Sequence, residues 1–128
     1  MRSLLLGLTL AGMTTSCDLF TSTARGIGIR LDASPLVGQL GDTVTFTVIV
    51  SATKVTGVVI DFGDSNGDQT STGGLPTALV TFTHTYAATG NYMARAVVSD
   101  AVVGDRVVTQ QIVVNPRSDS TQARGATR

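Results

Sequence analysis

Between residues 26 and 115, apolar side chains return at every second position, with no sustained three-to-four spacing of the kind that marks a helix face. Val44, Phe46, Val48 and Val50 alternate with Thr43, Thr45, Thr47 and Ile49. A period of two puts alternate side chains on opposite faces of an extended chain, so this stretch reads as strands with one buried side. The pattern repeats in Ile27, Ile29 and Leu31, in Val58, Ile60 and Phe62, and in Ala78, Val80, Phe82, His84 and Tyr86. It repeats again in Tyr92, Ala94, Ala96 and Val98, and in Ile112 and Val114. Residues 69–73 form a weaker polar segment suited to a sheet edge. Turn-forming residues stand between the segments, at 35–41, Thr53-Lys54, Ser65-Asn66-Gly67, Gly74-Leu75-Pro76, Thr89-Gly90-Asn91 and Gly104-Asp105.

Composition agrees with the pattern. Twenty Thr and sixteen Val favour strands, and all nine acidic residues are Asp, none Glu, which deprives helices of a strong former. Seven short segments, with the three prolines outside them, predict an all-β fold: a seven-stranded antiparallel immunoglobulin-like β-sandwich over residues 26–115. The missing helical periods exclude a parallel α/β sheet. A single cysteine excludes a disulfide framework. After Pro116, residues 116–128 have no periodicity and read as a disordered tail. Nine basic against nine acidic residues leave no positive field for a nucleic acid backbone, so no nucleic acid partner is expected.

The N-terminal residues differ in kind. Arg2 precedes an apolar run through Leu4, Leu5, Leu6, Leu8 and Leu10 that is too short to span a bilayer and ends in small polar residues. Thr14-Thr15-Ser16 before Cys17 resembles the lipobox of bacterial lipoproteins, although Thr14 stands where Leu is usual. The resemblance implies that residues 1–16 are a signal peptide and that Cys17 is acylated, palmitate included, and becomes the mature N-terminus. Several acyl chains on one residue give stable anchoring. Residues 17–25 then form a linker whose eight steps extend at most about 30 Å. The expected location is a membrane of the bacterial cell envelope.

Two motifs carry a second resemblance. Val58 to Asp64 reads Val-Val-Ile-Asp-Phe-Gly-Asp, and His84-Thr85-Tyr86 is followed by Gly90, Asn91 and Tyr92. These segments resemble the two signature segments of the PKD domain, an immunoglobulin-like module. The motif residues are Asp61, Phe62, Gly63, Asp64, His84, Thr85, Tyr86, Gly90 and Tyr92. Ile60 replaces the usual Trp, Ser65 the usual Gly, and Ala94 and Ala96 are smaller than the customary residues, which implies a lighter core. Physical chemistry gives the motifs structural roles. Asp61 and Asp64 can accept turn N–H groups, Gly63 can take a positive φ, and Tyr92 occupies a tyrosine-corner position.

Candidate chemistry is sparse. His84 with Asp100 and a serine would make a triad on paper, but no nucleophile elbow accompanies them, and His84 is expected to be a hydrogen-bonded structural side chain. One His and one acylated Cys cannot complete a zinc site. Asp61, Asp64, Asn66 and Asp68 crowd oxygen ligands into eight residues and are candidates for weak calcium binding, the one cofactor considered. They do not make an EF-hand, because Gln69 and Leu75 stand where that loop needs Gly and Glu. Alternation places Val59, Met93, Arg95, Val97, Val107, Thr109, Gln111 and Val113 on an outward face that is unusually apolar, a candidate partner surface. The expected function is a non-enzymatic, lipid-anchored envelope module contacting protein or glycan. The alternatives are a calcium-binding surface module or an accessory subunit of an envelope enzyme or transport system.

Overall fold

A computed structural model describes residues 26–118, which form six strands: β1 (Gly28–Ser34), β2 (Val37–Gln39), β3 (Thr43–Asp61), β4 (Gly67–Thr85), β5 (Gly90–Asp100) and β6 (Gly104–Asn115). Strands β3 and β4 are each 19 residues long and pair antiparallel from Thr43↔Thr85 to Asp61↔Gly67. Their halves belong to different layers. The first half of β3 and the second half of β4 form one layer with β1. The second half of β3 and the first half of β4 continue into β5, β6 and β2. The two layers enclose one core, in which Leu31, Phe46 and Val48 meet Ile60, Ala96, Val98 and Ile112.

The fold over from one layer to the other happens at residues 51–57, where the β3–β4 register shifts twice. The buried face of β3 changes parity across each shift: Val50, Val55 and Val58 are all buried although Val55 breaks the even-numbered series. That double slip explains how β3 differs from the sequence expectation. Segments 43–51 and 58–62 are halves of one strand, as are 69–73 and 78–86, and the turns expected at Thr53-Lys54 and Gly74-Leu75-Pro76 lie inside β3 and β4. Pro76 is therefore within a strand, contrary to expectation. It has no ladder partner, because it faces the bulge between Leu75↔Val55 and Thr77↔Ser51, where its missing N–H goes unused. Strand β2 is a further addition, pairing parallel to β6 from Val37↔Val113 to Gln39↔Asn115.

The inward series read from the sequence are buried at the centre, with Phe46, Val48, Ala94, Ala96, Val98 and Ile112 fully so. Ile27, Ile29, Ala78, Val80, Tyr92 and Val108 are half-buried against the margins of the core. The signal peptide, Cys17 and the linker at 17–25 lie outside the described residues, as does the tail beyond Ser118. Within the tail's first residues, Arg117 lies 3.7 Å from Asp42 and Ser118 accepts a hydrogen bond from the Gln39 amide at 3.3 Å.

Candidate functional site

Strand β3 ends in a turn that three local bonds define. The Asp61 carboxylate accepts the Gly63 N–H at 2.7 Å, Asp64 accepts the Asn66 N–H at 3.1 Å, and Phe62 N–H closes onto the Asn66 carbonyl at 2.9 Å. Gly63 has φ +85, and a Cβ there would lie 2.7 Å from the Met93 carbonyl oxygen, so both conformation and space demand glycine. Asp68 accepts the Gln69 N–H at 2.8 Å just beyond the turn.

The second motif packs onto this turn. His84 Nε2 meets Asp64 Oδ2 at 2.7 Å, with both side chains mostly buried. Burial works against a charged carboxylate, but the bonds from His84 and Asn66 outweigh it and hold Asp64 below its ordinary value. An ionised carboxylate only accepts, so Nε2 carries the proton and donates it. The His84 ring stacks on Phe62 with centroids 4.2 Å apart and planes 1° from parallel. Its edge meets Tyr86 at 4.8 Å, and Tyr86 stacks on Tyr92 at 4.2 Å. The buried Tyr86 hydroxyl donates to the Phe62 carbonyl at 2.9 Å. Burial, followed by the Asp64 charge, pushes that hydroxyl up to about 12, so it stays a donor. Tyr92 donates to the Ala88 carbonyl at 2.7 Å, the bond of a tyrosine corner.

Asp100, considered above only as a triad member, is a structural residue at the opposite end of β5. It is 5% exposed. Its carboxylate accepts the N–H groups of Thr53, Lys54, Val102 and Val103, joining the β3 bulge to the β5–β6 turn. Burial opposes its charge, the four donors prevail, and its carboxyl is held below the ordinary value. A signal was present: Asp100 shares the parity of Ala94, Ala96 and Val98, which puts a charge on an inward face. The paper triad of His84 with Asp100 does not form. Eight residues of strand separate Tyr92, in the His84 cluster, from Asp100, roughly 26 Å.

Antiparallel register places Gln69, Val59, Val97 and Val107 in one row across four strands on the outside of the larger layer. Val59, Met93 and Val107 are 46%, 53% and 48% exposed. Arg95, Thr109 and Gln111 are exposed beside them, while Val97 and Val113 are half-buried. Val37 extends the surface next to Val113. The other layer presents Thr43, Thr45, Thr47, Thr81, Thr83 and Thr85 outward, but the pair Ile49 and Leu79 interrupts the hydroxyls.

Comparison with known families finds the PKD domain over residues 28–113. The chain belongs to the PKD domain family. Solved structures agree at the level of fold. The PKD domain of an M14-like peptidase from a Thermoplasmatales archaeon is 22% identical, with 71% of this chain and 93% of that one covered and a TM-score of 0.55. The PKD domain of the human VPS10 domain-containing receptor SorCS2 is 16% identical, with 93% and 99% covered and a TM-score of 0.52. The CARDB domain of the PF1109 protein from Pyrococcus furiosus, in complex with di-metal ions, is also 16% identical, with 72% and 94% covered and a TM-score of 0.55. No curated protein matches.

Within this PKD domain the four candidate calcium ligands are spread along the turn. Asp61, Asp64 and Asp68 each accept a backbone N–H, and Asp64 is further bound to His84. Among the described residues, no three His, Cys, Asp or Glu side chains converge as a metal site would require. An open groove of about 460 Å³ runs beside the turn, lined by Val59, Asp61, Asn66, Asp68 and Gln69 among others.

Proposed function

We propose that this PKD domain is a non-catalytic contact module, held to a membrane of a bacterial cell envelope through acylated Cys17, and that it meets its protein or glycan partner with the outer β3–β5–β6 face. The observation that carries the reading is the outward Val59–Val97–Val107 row, exposed at Val59 and Val107, with exposed Met93 beside it. A contiguous apolar surface facing water on a small domain marks contact sites, and Met and Arg are side chains enriched there. A non-enzymatic role is supported by how the polar groups are used. His84 and Asp64 are bonded to each other and Asp100 to four N–H groups, which leaves none of these three poised as a base beside a nucleophile among the described residues.

Met93→Asp with Val107→Lys changes two exposed positions and should leave unfolding unchanged while abolishing crosslinks to envelope partners that the wild type forms. Retention of every crosslink by the folded variant would move the partner site elsewhere. Cys17→Ser should release the protein from the membrane fraction, and unchanged partitioning would overturn the anchoring. The acidic turn would bind calcium only weakly, in the ~10⁻⁴–10⁻³ M range of extracellular modules. Micromolar binding by calorimetry, lost in Asp64→Asn, would instead make the turn the functional site.

A further inference from the structure

The geometry points to a second contact surface: we infer that the end of the sandwich from which the tether leaves is shaped to rest on the lipid headgroups, with Leu75 and Val102 as its apolar tips. The inference rests on the anchoring of Cys17 proposed above. Strand β1 begins at Gly28 opposite Ser51, only three residues before Lys54. The N–H groups of Thr53 and Lys54 reach Asp100, which also holds Val102 and Val103. The start of β1, the β3 bulge and the β5–β6 turn therefore share one end. Cys17 stands eleven residues before Gly28, so the chain between them spans at most about 40 Å.

That end is apolar where turns are ordinarily polar. The β5–β6 turn reads Ala101-Val102-Val103-Gly104 with Val102 64% exposed, and Leu75 beside Pro76 is 57% exposed. Val55 pairs with Leu75 on one side and Asp100 on the other, which sets the two tips about two strand spacings apart, roughly 10 Å. Lys54 lies between them along Gly74, and Arg106 follows in β6. Cationic heads beside apolar tips suit an anionic interface, where stems bury and charges stay at headgroup level.

Charge also orients the domain. Asp42, Asp61, Asp64 and Asp68 lie toward the opposite end, with Arg117 beside Asp42 and Arg95 opposite Asp61, whereas the tether end sets Asp100 and Asp105 against Lys54 and Arg106. A membrane of anionic lipid repels the first end more than the second. Asp100 ties the Val102 turn to the β3 bulge, whose Val55 pairs with Leu75, so little ordering is needed on contact. Tethering supplies a high effective concentration, so a contact too weak to bind from solution suffices.

The chain has no Trp, so a single introduced Trp reports its own surroundings. The acylated protein carrying Val102→Trp, or separately Leu75→Trp, is reconstituted into phosphatidylethanolamine–phosphatidylglycerol vesicles containing brominated lipid. Both probes should be quenched at least twofold, and Asn66→Trp at the far end should not. Lys54→Glu in the Val102→Trp protein should reduce the quenching. A protein that floats with the vesicles while neither tip is quenched overturns the docking and leaves the anchoring intact. A blue-shifted but unquenched tip overturns it in favour of a protein contact, such as a second copy. Failure to float overturns the anchoring and the docking together.

Discussion

The two ends of the sandwich are each fastened by one aspartate, and they are fastened differently. Asp64 finds a side chain, His84, and thereby joins a stack of rings from Phe62 to Tyr92. Asp100 finds only backbone, four N–H groups from the bulge and the turn. The first end joins its polar bond to a stack of aromatic rings, whereas the carboxylate of the second is held by backbone donors alone. Disruption of the ring stack should therefore cost more than loss of either carboxylate, even though Asp100 accepts four bonds and Asp64 two.

Phe62→Ala tests this most directly and should have the largest effect. Phe62 is 3% exposed, stacks on His84 and packs on Phe46 at 5.2 Å. Its truncation should cost about 3–5 kcal/mol and can unfold a domain of this size. Urea denaturation of Phe62→Ala beside Asp100→Ala gives the ranking. A lower midpoint for Asp100→Ala would mean that the backbone fastening, and not the stack, dominates. Tyr86→Phe comes next, because it keeps the ring but orphans the buried Phe62 carbonyl, for about 1–2 kcal/mol.

Acid should loosen both ends. Each carboxyl is held in the folded protein below its ordinary value of 3.8. Each therefore adds stability at pH above that value and loses it as the pH falls through its lower, folded-state value. Unfolding midpoints measured from neutral pH downward should drop below pH 3.8, and Asp64→Asn and Asp100→Asn should each flatten that limb. A limb as steep in the double variant as in the wild type would mean that other carboxyls govern acid unfolding.

The ends also differ in how visible they were beforehand. The Asp64 end could be seen in outline, since Asp61-Phe62-Gly63-Asp64 and His84-Thr85-Tyr86 stand out as motifs. Their mutual contact could not, because a pairing of residues twenty apart depends on where β4 folds back. The inward series were legible because each hides one face, as in Val44 to Val50 and Ala94 to Val98. What escaped was what breaks the period. Val55 is fully buried on the wrong parity between two register shifts, and Pro76 sits where a bulge removes the need for its N–H. Strand β2 escaped because three residues carry too little alternation to read. The inward parity of Asp100 was legible, but its four backbone donors were not, because they offer no side-chain partner to search for.

The smallest expected effect concerns the turns themselves. Ser65 has φ +72, in the left-handed region, within the turn that follows β3. The β5–β6 turn at the other end meets the same demand with a glycine, Gly104 at φ +83. A left-handed conformation costs a residue with a Cβ about 1–2 kcal/mol, and glycine removes that cost. Glycine also has more freedom to lose on folding, about 0.5–1 kcal/mol relative to alanine. The first effect exceeds the second, so Ser65→Gly should stabilise the domain by roughly 0.5 kcal/mol. Ser65→Asn should gain less, since asparagine tolerates the region better than serine but keeps its Cβ. The converse change, Gly104→Ser, should destabilise. Thermal unfolding of the three variants decides the matter: if Ser65→Gly lowers the midpoint while Gly104→Ser leaves it unchanged, the strain at the Asp64 end is not what separates the two turns.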